Sequence, residues 1–338
     1  LYPYLYSEIT GYALSTFLFL NRIAPNKQWI RHALLAARWL MNKALTKEGA
    51  VRTRLYLHKD YYIGKFSFNS GLFYSFDTAV VGYGLLQLYK ETGSPVYLKA
   101  VEKILHFLIH TLRKKDGTFY AYFNPKIRRC GDEPDWWSRQ SGSFHNKFAI
   151  LFLDYFKLTG DAHYKDYATA LLDTQLKWQE KNGRFVTIKK DRSSYFHPHC
   201  YTLEGLLYAG SVLNRRDYIQ PALRAFEWMI SGVSSLGLLP SIYKDSYFYY
   251  FQRSDVHAQV LRIGAILYAL EPAAIEKHKS QLENIKNRLL KFQSWNVHKQ
   301  QSGGFNYGVS PEGVTKNHLN AWCTMFAIQA LWMHEEFV

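Results

Sequence analysis

Residues 194–210 read SYFHPHCYTLEGLLYAG, with two histidines around a proline, then a tyrosine and a glutamate ahead of an apolar run. Histidine titrates near neutrality, and Tyr201 could carry a proton on the opposite face of a substrate, so His199 and Tyr201 suit general acid–base chemistry. Pro198 fits the first position of a helix, where a missing N–H costs nothing. That reading puts His197 at or near the cap and His199 in the first turn. Glu204, almost a turn deeper, is placed to orient His or Tyr, or to satisfy buried polar groups. Helical zinc ligands prefer i, i+4 spacing, and no third ligand stands nearby, so neither a metal nor a cofactor is expected.

Comparable leading turns recur along the chain. They hold Ser7 and Glu8; Asp77 and Thr78; His145 and Asn146; Asp255, His257 and Gln259; and His318, Asn320 and Trp322. The anchors Glu8, Asp77, His145, His199, His257 and His318 are 69, 68, 54, 58 and 61 residues apart. Ser7, Asp77 and Ser254 are good N-caps, and acids in a first turn complement the helix dipole. A protonated histidine opposes that dipole, so capping alone does not explain four helices that begin with one. The convergence points to a site rather than to a particular reaction. Two long loops add aromatic and acidic groups. CGDEPDWWSRQSG holds Asp132, Glu133, Asp135, Trp136 and Trp137, while KDSYFYYFQRSD holds Tyr247, Tyr249 and Arg253. Their rings suit either the apolar faces of sugars or the pinning of a long loop, and both readings stay open.

The elements that position these residues form a repeat. NKQWIRHALLAARWL, GSPVYLKAVEKILHFL, GDAHYKDYATALLDTQL and NRRDYIQPALRAFEWM place an aromatic in one slot (Trp29, Tyr97, Tyr164, Tyr218). A small apolar residue follows four positions later (Ala33, Val101, Ala168, Ala222). Spacings of three and four mark amphipathic helices. A more apolar helix precedes each, as in ITGYALSTFLFL, TAVVGYGLLQLY, NKFAILFLDYF and YTLEGLLYAGSVL, and two more such helices come later. The pattern predicts six buried and five half-buried helices in alternation. Short Gly-containing turns lead outward, and long loops with small β-hairpins (DGTFYAYF, NGRFVTI, LGLLPSIY, GGFNYGV) lead back. This predicts an all-α, (α/α)6-type toroid over residues 1–338, read as one domain that is closed by 11–12 helices or is incomplete for want of a terminal outer helix, with a two-domain all-α arrangement as the alternative. The N-termini of its inner helices would gather at one end and make it electropositive.

Composition narrows the partners. The 338 residues include 42 Lys plus Arg against 27 Asp plus Glu, a formal net charge of +15, which favours anionic partners or simply solubilises the surface. Three cysteines, Cys130, Cys200 and Cys323, are too few and too scattered for a disulfide framework. No apolar run is long enough to cross a bilayer, and no secretory signal is visible, so a cytoplasmic location is expected, although Leu1 in place of Met allows a fragment or a processed form. Lys and Arg are scattered rather than gathered in a stripe, which counts against nucleic acid.

The joint [YF]xxTG[DS]xxY, at Tyr89–Tyr97 and Phe156–Tyr164, resembles the α/α-toroid carbohydrate-active enzymes over nearly the whole chain. YSEITGYAL, FDTAVVGYGL and HCYTLEGLLYAG are similar to toroids encoded with polysaccharide-biosynthesis genes and to the glucuronyl C5-epimerase C-terminal domain. The resemblance implies a glycan as ligand and two competing chemistries. C5 epimerisation or β-elimination on a uronate would use His145, Asn146, His199, Tyr201, His257, His318, Asn320 and Arg253, with Trp136, Trp137, Tyr249 and Trp322 against the sugar. Hydrolysis would use opposed carboxylates from Glu8, Asp77 and Asp255, with Asp132 or Asp135 as loop acids. The histidines and the charge tilt the reading toward an acidic polysaccharide. A non-catalytic glycan- or nucleic-acid-binding protein is the further alternative.

Overall fold

The computed structural model describes residues 4–56, 71–234, 237–295, 302–309 and 314–338. Among these residues twelve α-helices follow in order: α1 (Ser7–Ile23), α2 (Lys27–Trp39), α3 (Ser75–Thr92), α4 (Pro95–Phe107), α5 (Phe148–Thr159), α6 (Ala162–Leu176), α7 (Phe196–Leu213), α8 (Arg216–Ser231), α9 (Ser254–Leu270), the short α10 (Pro272–Ile275), α11 (Lys279–Leu290) and α12 (Ala321–Phe337). The nearly all-apolar segments became α1, α3, α5, α7, α9 and α12. The half-buried ones became α2, α4, α6, α8 and the interrupted pair α10–α11. Short antiparallel strands occupy the long loops, among them Tyr122–Asn124 with Arg129–Gly131 and Ile242–Lys244 with Tyr247–Tyr249.

By packing, the chain resolves into two compact units, Leu1–Ser141 with Ile150–Leu171, and Gly142–Ala149 with Leu172–Val338. In the first unit α1 packs on α2 and α3, and α3 on α4. In the second, the 3-10 segment Ser143–Lys147 lies along α7, α7 packs on α8 and α9, and α9 packs on α11 and α12.

A common grammar builds the start of each inner helix. The first helical residue is a serine in four of them, and its hydroxyl donates to a carbonyl of a following long loop: Ser7 to Arg52, Ser75 to Ala121 (3.2 Å), Ser143 to Val186 (3.3 Å) and Ser254 to Asn306 (2.6 Å). The fourth residue bonds back to the carbonyl just before the helix: Thr10 to Tyr6 (2.8 Å), Thr78 to Tyr74 (2.8 Å), His257 to Arg253 (2.7 Å) and Thr324 to Asn320 (2.9 Å). The same slot also accepts a hairpin amide, from Val51 onto Thr78, from Phe185 onto His199 and from Phe305 onto Thr324. These bonds satisfy donors and acceptors that helix ends and turns leave open.

The expected caps are corrected by this arrangement. Tyr6, Tyr74 and Arg253 precede α1, α3 and α9 without a capping side chain, while Ser7, Asp77 and Ser254 lie inside the helices. Their hydroxyls and carboxyls therefore turn toward loops and neighbours rather than toward their own helix end. The outward turns follow expectation: α3 ends at Gly93 in the left-handed region, φ 67°.

Gly205, in the middle of α7, has a different reason to be glycine, since a Cβ there would overlap the backbone carbonyl of Asn146. Gly205→Ala should push α7 off the Ser143–Lys147 segment and cost at least about 3 kcal/mol. Gly93→Ala meets nothing within 4 Å and should cost only about 1–2 kcal/mol through its backbone conformation. Thermal or denaturant unfolding of the two variants measures the contrast.

Candidate functional site

Three inner helices of the second unit each carry a polar or aromatic stripe at i, i+4 and i+7, the spacing that keeps side chains on one helical face. On α7 it is His197, Tyr201 and Glu204. On α9 it is Asp255, Gln259 and Arg262, and on α12 it is Trp322, Phe326 and Gln329. The stripes meet in layers. In the leading layer, His197 Nδ1 lies 2.9 Å from an Asp255 carboxylate oxygen and 2.6 Å from Gln259 Oε1. Its ring packs edge-on against Tyr201 (4.7 Å) and tilts onto Trp322 (5.0 Å). Arg253 grips Asp255 with both forks, Nε to Oδ1 at 3.0 Å and Nη2 to Oδ2 at 2.6 Å, and its guanidinium lies 5.0 Å over Tyr307.

The protonation states follow from these contacts. Burial works against a charged Asp255, but Arg253 and His197 outweigh it and hold its pKa below the usual carboxylate range. Burial likewise lowers the pKa of His197, with Asp255 acting in opposition. The neutral imidazole keeps its proton on Nδ1, facing two acceptors, so Nε2 is the nitrogen that can take a proton. An aromatic wall continues from there, Trp322 to Tyr307 (6.2 Å) and Tyr307 stacked on His318 (6.2 Å, 9° between planes).

One turn deeper, Glu204 accepts from Lys147 Nζ at 2.6 Å and from the Arg262 guanidinium. Arg262 also donates to Gln329 at 2.7 Å, and Lys147 sits 4.2 Å over the Tyr201 ring. Burial alone would raise the Glu204 carboxyl, but the two cations bring it down to about 2.

Several expected residues lie elsewhere in this unit. His199 does not face the cluster; it is fully buried, accepts the Phe185 amide on Nε2 at 3.0 Å and packs among Phe185, Phe196 and Trp228. Burial takes its pKa to about 3. His257 is fully buried as well, with Nδ1 donating to its own helix end and the ring against Phe292, and burial takes its pKa to about 4. His145 is sealed between Phe144 and Phe148, and Asn146 is buried beside it. Two residues along a helix turn the side chain by about 200°, so His199 and His257 point away from the face that His197 and Asp255 share. Tyr201 is on the right face but only 1% exposed. Asn320 caps α12 through the Cys323 amide (3.2 Å), and Tyr249 stands exposed on its hairpin.

In the first unit Glu8 and Asp77 act on each other. Burial first, and then the Glu8 charge, raise Asp77 well above the usual carboxylate range, and Asp77 Oδ2 is buried without a hydrogen-bond partner. Burial and Glu8 also raise Tyr6, and Arg54 lies over the rings of Tyr4 (4.5 Å) and Tyr6 (4.9 Å). Trp136 is exposed and carries Arg139 at 5.8 Å over its ring, while Trp137 opens the adjacent 3-10 turn. The loop acid Asp132 holds that loop by accepting from Lys114 and from the Ala121 and Ser141 amides.

Leading-turn reasoning missed His197 as the centre, together with Lys147, Arg262 and Tyr307. The i, i+4, i+7 period of α7 and α9 was the available signal. Lys147 and Tyr307 come from segments with no such period. Among the described residues, no group of three or more His, Cys, Asp or Glu is placed to hold a metal ion, and no helix is long and apolar enough to cross a membrane.

Neither protein-family models nor curated protein sequences match this chain. Solved structures do. Cellobiose 2-epimerase from Bacillus thermoamylovorans is similar with a TM-score of 0.79 at 13% identity, over 98% of this chain and 88% of that one. D-mannose isomerase gives 0.78 at 11% identity, over 99% and 88%. Unsaturated glucuronyl hydrolase from a Bacillus species gives 0.67 at 11% identity, over 95% and 84%. These likenesses establish the fold: the chain is an α/α-toroid protein.

The Glu204 cluster has a pH signature. Its folded pKa lies below the unfolded value of about 4.3, so it stabilises the fold above that pH. The contribution fades as pH falls from about 4.3 toward about 2. Glu204→Gln should cost roughly 3–5 kcal/mol at neutral pH, because two buried cations lose their counter-charge, and should flatten the acid limb of a stability–pH curve. His199→Gln, by contrast, should cost about 1–3 kcal/mol at neutral pH. It should also remove the earlier part of the acid limb, between about pH 6.5 and 4.3, because the buried neutral imidazole takes up a proton on unfolding.

Proposed function

We propose that this protein is a carbohydrate-active enzyme that moves a carbon-bound proton of a sugar, with His197 as the base. The doubly held Nδ1 of His197 is the observation that carries this reading. Asp255 and Gln259 fix the ring's tautomer and orientation, and burial keeps the imidazole neutral, the state a base requires. Asp255 is a positioning residue in this scheme, and Arg253 keeps it ionised. His318, further along the Trp322–Tyr307 wall, is the group assigned to return the proton, and the exposed parts of that wall suit the apolar face of a sugar ring. Abstraction of a proton beside a carbonyl or carboxylate is the opening step of epimerisation, isomerisation and β-elimination alike. Two of the similar structures are named for the first two reactions. The +15 charge favours an anionic, uronate-containing glycan.

Hydrolysis is the second reading. The Glu8–Asp77 pair favours it, because a neutral carboxyl beside a charged one supplies an acid and a base.

Incubation with uronic polymers and with reducing disaccharides in deuterated water separates the two. Proton transfer should give deuterium at a sugar carbon, or absorbance from an unsaturated product. His197→Ala should lower that rate by roughly 10²–10⁴, and Asp255→Asn should lower kcat more than it raises KM. The acid limb of kcat/KM should lie below the ordinary histidine value of about 6.5. New reducing ends without exchange or absorbance, abolished by Glu8→Gln and unaffected by His197→Ala, would instead establish the hydrolytic reading.

A further inference from the structure

The sheet just ahead of α7 has two unlike faces. Its strands Ser194–Tyr195, Ile242–Lys244 and Tyr247–Tyr249 are antiparallel in that spatial order, with Tyr195 opposite Ile242 and Ile242 opposite Tyr249. Tyr243 and Phe248 pair across one face and pack on Trp228, at 5.5 and 5.7 Å. Alternation sends Tyr195, Ile242, Lys244, Tyr247 and Tyr249 to the other face, where Ile242 is buried and Tyr195 half-buried. There Tyr247 is 71% and Tyr249 39% exposed, and the Lys244 side chain 43%. Phe251 extends this face by lying parallel to Tyr249, with centroids 6.3 Å apart and 14° between planes. Trp228 anchors the half-buried Tyr243–Phe248 face, and the exposed Tyr247 and Tyr249 rings are not needed for that contact.

The same edge is basic. Residues 177–195, which lead into this sheet, contain six Lys or Arg against two acids. Both acids are already neutralised, Glu180 by Arg184 and Arg192, and Asp191 by Lys244 at 3.1 Å. Lys190 and Arg192 are exposed on the turn beside the strands.

We infer that this face is a platform for an extended acidic glycan, whose sugar faces lie on Tyr247 and Tyr249, with Tyr195 beyond Ile242, and whose carboxylates meet Lys190 and compete with Glu180 and Asp191 for Arg192 and Lys244. Tyrosine gives a flat apolar ring with a polar tip, which matches a sugar's apolar face and hydroxyl rim. The neighbouring cations supply long-range attraction for a polyanion. Strand Ser194–Tyr195 runs directly into α7, so the platform ends two residues before His197. The inference rests on the glycan reading of that end and deepens it, by making the substrate a polymer rather than a free mono- or disaccharide.

Affinity electrophoresis in gels containing polygalacturonate, alginate or hyaluronan tests it, with neutral pullulan and an oligothymidylate as controls. The protein should be retarded by at least one acidic polymer, less so as salt rises. Tyr247→Ala/Tyr249→Ala and Lys190→Ala/Arg192→Ala should each weaken retardation about tenfold, while circular dichroism and Tm stay at the parent's values. His197→Ala should be retarded like the parent, so loss of turnover and loss of binding are read separately. Retardation by none of the three polymers, or equal retardation of parent and platform variants, would overturn the inference. So would a platform-dependent shift by oligothymidylate alone, which would assign the face to single-stranded nucleic acid.

Discussion

Asp255 is a carboxylate with no exposure to water, and much of the second unit is arranged around keeping it ionised. Taking such a charge out of water costs several kcal/mol unless opposite charge and hydrogen bonds replace the solvent. Arg253 supplies both forks, His197 supplies an N–H, and the first turn of α9 adds its dipole. Arg253 is buried in turn and needs its own cover, which Tyr307 provides from the loop between α11 and α12. One buried negative charge thus fixes the start of α7, the start of α9 and a loop distant in sequence. The imidazole whose tautomer depends on that charge inherits their rigidity.

The second layer repeats the logic with opposite accounting of charge. Glu204 has two cations, Lys147 and Arg262, and the surplus positive charge faces Tyr201 and Phe326. In the leading layer it is Arg253 that discourages protonation of His197, in the same direction as burial. Polar stripes along three buried helices are expensive, and well-packed apolar residues would serve stability as well or better. Their retention in matched layers is what separates this face from the ordinary core of Leu, Phe and Val that fills the rest of the second unit.

Division of labour along each leading turn explains where chemistry can sit. The first and fourth helical positions are committed to holding the long loops, through Ser7, Ser75, Ser143 and Ser254 and through Thr78, His199 and Thr324, while His257 ties back to the carbonyl just before its own helix. Histidine at the fourth position is therefore a structural acceptor or donor that happens to share a residue type with catalysis. The second position is released from that duty, and there α7, α9 and α12 carry His197, Asp255 and Trp322. In the first unit α1 carries Glu8 at the same position.

The sequence by itself determined the alternation of buried and half-buried helices, the hairpins between them and the turns at Gly93 and Gly160, because hydrophobic period and glycine placement act locally. It also drew attention to the leading turns in which His197, Asp255 and Trp322 meet. It did not determine which residue of each turn mattered. Glu8, Asp77, His145, His199 and His257 looked like one repeated slot, yet they fall at the second, third and fourth positions of their helical segments, about 100° apart per step. Whether a histidine meets an Asp255 or an aromatic core depends on the rotation of the whole helix against its neighbours. Only tertiary packing sets that rotation, through contacts such as Gly205 on the Asn146 carbonyl. The partners of Glu204 were hidden for a related reason: Lys147 and Arg262 lie 57 and 58 residues away, and ionic attraction leaves no periodic trace in a sequence.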